Sequence, residues 1–115
     1  MFKFLSTNIN VNDHHIDNIL VANNPFTRLK GLLFVSEQEL TGMYLTYCNS
    51  VHTIGMRYNI DIIFLSKNNN VEKIIKCAKP YKFFFGTKNT THTLELNSGA
   101  ADNLGIEPGI SIELN

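Results

Sequence analysis

Residues 42–66 read GMYLTYCNSVHTIGMRYNIDIIFLS, and the fold turns on how their last third is read. Ile60 to Leu65 is the densest apolar run of the chain, and its length suits a strand. Alternation then sets Asp61, Ile63 and Leu65 on one face and Ile60, Ile62 and Phe64 on the other. Neither face is plainly polar, so the strand is expected to be covered on both sides. A carboxylate held there needs partners, because an unpaired buried charge costs several kcal/mol. The nearest basic candidates are His52, Arg57 and Arg28.

Downstream of this strand, Lys67-Asn68-Asn69-Asn70 signals a hairpin, since asparagine tolerates left-handed φ. Val71 to Ala78 returns with a mixed pattern that fits an edge or a bulge, and Pro80 stops it. Tyr81 to Gly86 reads YKFFFG, and one strand cannot turn three consecutive phenylalanines toward a single core. Burial on both faces is the favoured reading; a Phe left exposed as a contact patch is the alternative. Thr91 to Leu96 alternates again, with His92, Leu94 and Leu96 on one side and Thr93 and Glu95 on the other. Ser98 is expected to cap a short helix, Gly99 to Leu104, ended by Gly105. Ile110 to Leu114 reads as the closing strand.

Upstream, Met43 to Cys48 and Val51 to Met56 read as two arms of a hairpin turning at Asn49-Ser50. Asn24 and Pro25 announce a helix whose Phe26, Leu29, Leu32 and Leu33 fall at helical spacing. Met1 to Leu5 and Ile16 to Val21 are expected as an opening strand pair around a polar turn at Asn8 to His15, with His14-His15 in solvent. The sum is a mainly β domain of 1–115. It is expected to be a single, mostly antiparallel β-sandwich or partly closed barrel, jelly-roll-like, with two short helices.

At 115 residues the chain suits one domain that removes roughly 65% of its unfolded surface from water. No apolar run approaches the ~20 residues needed to span a bilayer, so no membrane partner is expected. MFKFLSTNIN lacks a signal-peptide apolar segment, which predicts a cytoplasmic protein unless a leader was removed. Ten basic and ten acidic residues cancel, and on that balance nucleic acid is not an expected partner. Cys48 and Cys77 fit no paired metal spacing and read as reduced thiols.

Three blocks resemble the bacterial and archaeal family called domain of unknown function 192. Arg28-Leu29-Lys30-Gly31-Leu32-Leu33 is similar to its Arg-x-x-Gly-Leu-Met/Leu helix. Cys48 to Leu65, through His52-Thr53-Ile54-Gly55-Met56-Arg57 and Ile60-Asp61, resembles its central block. Leu94-Glu95-Leu96-Asn97-Ser98-Gly99 resembles Leu-Glu-Leu-x-x-Gly, followed by a turn with Gly105 and Gly109. Ile110 departs from the Asp common after the last glycine. The resemblance spans about residues 20–114; it implies a compact jelly-roll-type fold and no established activity.

Three functional readings follow. The first is a non-enzymatic binding or accessory domain holding a small polar ligand or a protein segment. Its cleft would be lined by Arg28, His52, Thr53, Met56, Arg57 and Asp61, so that Asp61→Asn would abolish binding at little cost in stability. The second is a hydrolase or transferase with His52 as general base oriented by Asp61, and Arg28 or Arg57 on an oxyanion. It lacks a protein nucleophile, although Cys48 and His52 become cross-strand neighbours if their hairpin forms. The third is an interaction module presenting Tyr81 to Phe85. Beside these stand structural roles: His52 and Asp61 tying the hairpin to the central strand, Met56 as core, Arg28 bridging Asp61 or Glu95, and Glu95 on a polar strand face. No cofactor is expected, and a metal held by Cys48, His52 and a third ligand such as His92, Asp61 or Glu95 lacks a pre-assembled spacing.

Overall fold

The computed structural model describes residues 6–22 and 41–115. The expected strand at Met1 to Leu5 and the expected helix after Asn24-Pro25 lie outside the described residues. β1 (Ser6–Val11) and β2 (His14–Ala22) form an antiparallel hairpin. Its turn is Asn12-Asp13, with φ of 47° and 66°. Two consecutive left-handed residues match the twist of a two-residue hairpin, so the polar tract 8–15 is strand on either side of a tight turn.

β2 runs parallel to β3 (Gly42–Leu45), and every other strand pairing among the described residues is antiparallel. β8 (His92–Asn97) lies between β3 and β5 (Ile60–Leu65), and β6 (Val71–Ala78) follows β5. With β9 (Glu113–Leu114) on β1, the seven-stranded order is β6-β5-β8-β3-β2-β1-β9. Gly42 leaves no room for a side chain between β3 and β8. A Cβ there would meet the Glu95 carbonyl and a Leu96 methyl at 2.6 Å each.

The sheet curls until its ends are joined by one segment, 109–114. At one end, the Gly109 N–H donates to Val71 O and the Val71 N–H to Ile110 O, both at 2.8 Å, and Ser111 bridges Asn70. At the other, Leu114 sits opposite Ile9. The result is the partly closed barrel expected from the sequence.

β5 holds the position assigned to it, with all six residues buried. Ile63 and Leu65 point into the barrel with Ile9, Ile19, Tyr44 and Leu94. The helix α1 (Ala100–Asn103) stops that core with Ala101, and Ile106 follows it. Ile60, Ile62 and Phe64 point outward and are covered by Val51, Met56 and half-buried Phe84. That cover is a second, two-stranded sheet of β4 (Ser50–His52) and β7 (Phe83–Phe85). Here the expected hairpin of 43–48 with 51–56 is corrected. Val51 pairs with Phe84, and β3 pairs with β2 and β8 instead.

Candidate functional site

Asp61 is 1% exposed, and its carboxylate is filled by backbone amides. Oδ1 accepts the Cys77 N–H at 2.9 Å; Oδ2 accepts Gly99 N–H at 3.1 Å and Ala101 N–H at 2.9 Å. The sequence prepares each donor. The register of β5 against β6 shifts between Ile60 and Ile62, and Cys77 bulges there with φ 53°. Gly99, at φ 94°, turns the chain so that two amides of α1's first turn converge on one oxygen. Charge-assisted bonds of this kind exceed neutral ones in strength, and three of them offset the desolvation of the carboxylate. Among the described residues, main chain therefore takes the place expected for His52 or Arg57. Ser98 makes no cap, and its hydroxyl donates to Cys77 Sγ at 3.0 Å. The anion at this helix start belongs to the fold itself.

The structure does not bring His52 and Asp61 together. Asp61 shares the inner face of β5 with Ile63 and Leu65, whereas β4 lies over the outer face. His52 is exposed on β4, its Nδ1 accepting Ile54 N–H at 3.3 Å and its ring 6.0 Å from that of Phe83. Thr53 is buried as a stitch: it donates its hydroxyl to Lys79 O at 2.7 Å and accepts Lys82 N–H at 2.9 Å. Met56 is core, as expected of it, and Arg57 is exposed. Arg28 lies outside the described residues. Of the five expected liners among the described residues, three are thus taken up by packing or hydrogen bonding and two are exposed.

The other arrangements change in the same way. Cys48 precedes β4 and its thiol donates to Ser50 O at 3.1 Å, so the hairpin that would have set it across from His52 is not formed. Among the described residues no group of three His, Cys, Asp or Glu side chains is placed to hold a metal ion. Glu95, expected on a polar face, is buried at 5% exposure on the outer side of β8, opposite Met43 on one neighbour and Ile62 on the other. Alternation gave its face correctly but not what covers that face. At one mouth of the barrel, His92 Nδ1 accepts the Tyr47 N–H at 3.0 Å, and its ring lies 5.5 Å from Tyr44 and 5.2 Å from Tyr47. Burial lowers the His92 pKa and pushes the Tyr44 phenol up to about 12, partly opposed by its hydrogen bond to Asn69. A hollow of about 630 Å³ lies at the barrel seam, between Asn10–Asp13 and Ser111–Glu113.

The aromatic segment departs furthest from expectation. Tyr81, Phe83 and Phe85 are 68%, 63% and 65% exposed, and only Phe84 turns inward. Burial on both faces is corrected because the β4–β7 ribbon has a sheet beneath it and nothing above among the described residues. His52, whose ring lies beside that of Phe83, and Ile54 two residues on are exposed as well.

Fold and site together define a small curled-sheet β domain with a structural carboxylate inside and an aromatic ribbon outside. The chain belongs to the DUF192 family, described as "Uncharacterized ACR", whose model matches residues 7–114. It is 32% identical over 98 residues to a UPF0127 protein of Pyrococcus furiosus, covering 82% of this chain and 84% of that one. Its fold is similar to a crystal structure of a protein of unknown function from Novosphingobium aromaticivorans. That likeness has a TM-score of 0.74 and 24% identity over 96% of this chain and 84% of the other. A putative transcription regulator from Sinorhizobium meliloti gives a TM-score of 0.83 at 19% identity, covering 99% and 97% of the two chains. These structural likenesses speak for the fold.

Proposed function

We propose that this chain is a non-enzymatic, partner-binding accessory domain whose contact surface is the outer face of the β4–β7 ribbon. One observation carries the reading: three aromatic side chains of one short segment stand in solvent together. Burying a Phe is worth about 1.5–3 kcal/mol, so two on one three-residue strand forgo a large stabilisation that a partner can recover. Clustered apolar exposure of this kind marks interaction sites, whereas single exposed residues are ordinary. The cleft reading loses support because His52 and Asp61 point to opposite sides of β5. The catalytic reading loses its orienting carboxylate for the same reason.

The test is a comparison between the wild-type chain and a Phe83→Ser/Phe85→Ser double variant, each immobilised and exposed to extract from the native source. The reading expects proteins enriched by wild type at least about tenfold over the variant, with both chains equally stable to urea. Equal recovery by both would remove the ribbon as the contact surface.

A further inference from the structure

The ribbon's surroundings narrow the partner's chemistry. Net charge is zero over the chain, but residues 57–88 hold seven of its ten Lys and Arg and only two of its ten Asp and Glu. Those two acids are engaged: Asp61 by the three amides, and Glu72 by the Thr87 hydroxyl at 3.2 Å. Of the cations, Lys76 is neutralised by Asp102. Arg57, Lys73, Lys79, Lys82 and Lys88 take part in no ion pair among the described residues. They frame the ribbon. Lys73 Nζ donates to Phe85 O at 2.9 Å, the main chains of Lys79 and Lys82 bond to Thr53 at the end of β4, Lys88 follows β7, and Arg57 follows Met56 in the chain.

The ladder supplies a second constraint. Thr53 N–H donates to Lys82 O and Gly86 N–H to Asn49 O, which fixes the bonded pairs at 53/82, 51/84 and 49/86. The amides and carbonyls of Phe83 and Phe85 therefore point away from β4, along the outer edge of β7. The bond from Lys73 to Phe85 O already uses that edge, as a lysine does when it guards an unpaired strand.

We propose that the occupant of the ribbon is an extended, acidic segment of a partner protein, added as a strand along the outer edge of β7. The inference rests on the ribbon being the contact surface. In this geometry the segment's main chain meets Phe83, its alternate side chains cover the Phe83 and Phe85 rings, and its carboxylates meet Lys73, Lys79 and Lys82. A polynucleotide fits less well. Three strand residues span only about 10 Å, short of the roughly four nucleotides of the smallest single-strand sites, and a sugar-phosphate chain has no use for a strand edge.

The experiment titrates the isotopically labelled full chain with a seven-residue peptide of alternating Glu and Val at low salt, following backbone amide shifts. Parallel titrations use the same peptide with Lys for Glu, an N-methylated version lacking main-chain N–H groups, oligo-dT, and vesicles of phosphatidylserine and phosphatidylcholine. Saturable shifts confined to β7 and its lysines are expected from the acidic peptide, about tenfold weaker in Lys79→Glu/Lys82→Glu and with the N-methylated peptide. Equal binding of the basic peptide, or tighter binding of oligo-dT or vesicles, would overturn the acidic strand. So would no binding of any peptide while capture still depends on Phe83 and Phe85, an outcome that leaves the ribbon as contact surface intact. Loss of that dependence would take both readings together.

Discussion

At the scale of single residues, Asp61 shows a side chain whose demand was legible and whose partners were not. A carboxylate in an apolar run must be satisfied, and the sequence says so. That the donors would be the amides of Cys77, Gly99 and Ala101 depends on a bulge and on a chain return some forty residues away, neither of which has a side-chain signature. Asp61→Asn turns one acceptor oxygen into a donor facing N–H groups. It should lower the unfolding free energy by about 3 kcal/mol in urea titrations, while Ser98→Ala stays within about 0.5 kcal/mol. An Asp61→Asn chain as stable as wild type would refute the structural role. His92 gives a pH signature of known sign. Its folded pKa lies below the ordinary 6.5, so as pH falls through about 6.5 the unfolded chain takes the proton first and stability declines. Tyr44, raised to about 12, acts at the other end: between pH 10 and 12 the unfolded phenol ionises first, and stability falls again. Urea midpoints across pH should show both declines, the acid one reduced in His92→Gln and the alkaline one in Tyr44→Phe.

At the scale of elements, the strands set off by an apolar run, by alternation or by clear turn signals were legible within a residue or two: β5, β6 and β8 stand where the sequence puts them. The ribbon was not. Period-two alternation separates Phe84 from Phe83 and Phe85, but a local pattern does not report how many layers will lie over a strand. The same limit misassigned Val51, which looked like the return arm of β3 and instead pairs with Phe84, thirty-three residues on. The two sides of β7 should respond oppositely to truncation. Phe84→Ala, removing packing from Val51, Ile62 and Phe64, is expected to cost about 2 kcal/mol. Phe83→Ser and Phe85→Ser should each change stability by less than about 0.5 kcal/mol. Equal destabilisation by all three would mean that the ribbon is buried.

At the scale of the whole molecule, the β class, the partial closure and the family were all readable, the last from the order of three separate blocks. The segregation of charge was hidden because a net of zero averages over it. So was the seam, since Gly109 to Leu114 carries too little pattern to reveal that one short segment serves two edges. Ile112, 3% exposed, is the seam's apolar anchor inside the barrel. Its replacement by Ala should cost about 3 kcal/mol and should speed amide exchange first at Val71 and Asn115, whose N–H groups bond across the gap to Ile110 O and Asn8 O.

That seam also bears on the order of events in folding. Leu114 meets Ile9 from nearly the full described length of chain away, so ring closure is the most entropically costly contact the molecule makes. Hairpins such as β1–β2 and β5–β6 can form early, while closure waits for the sheet to curl. Until it closes, the outer edges of β6 and β1 are raw templates for other chains in the same condition. Refolding yield should therefore fall with protein concentration even where the finished barrel is stable.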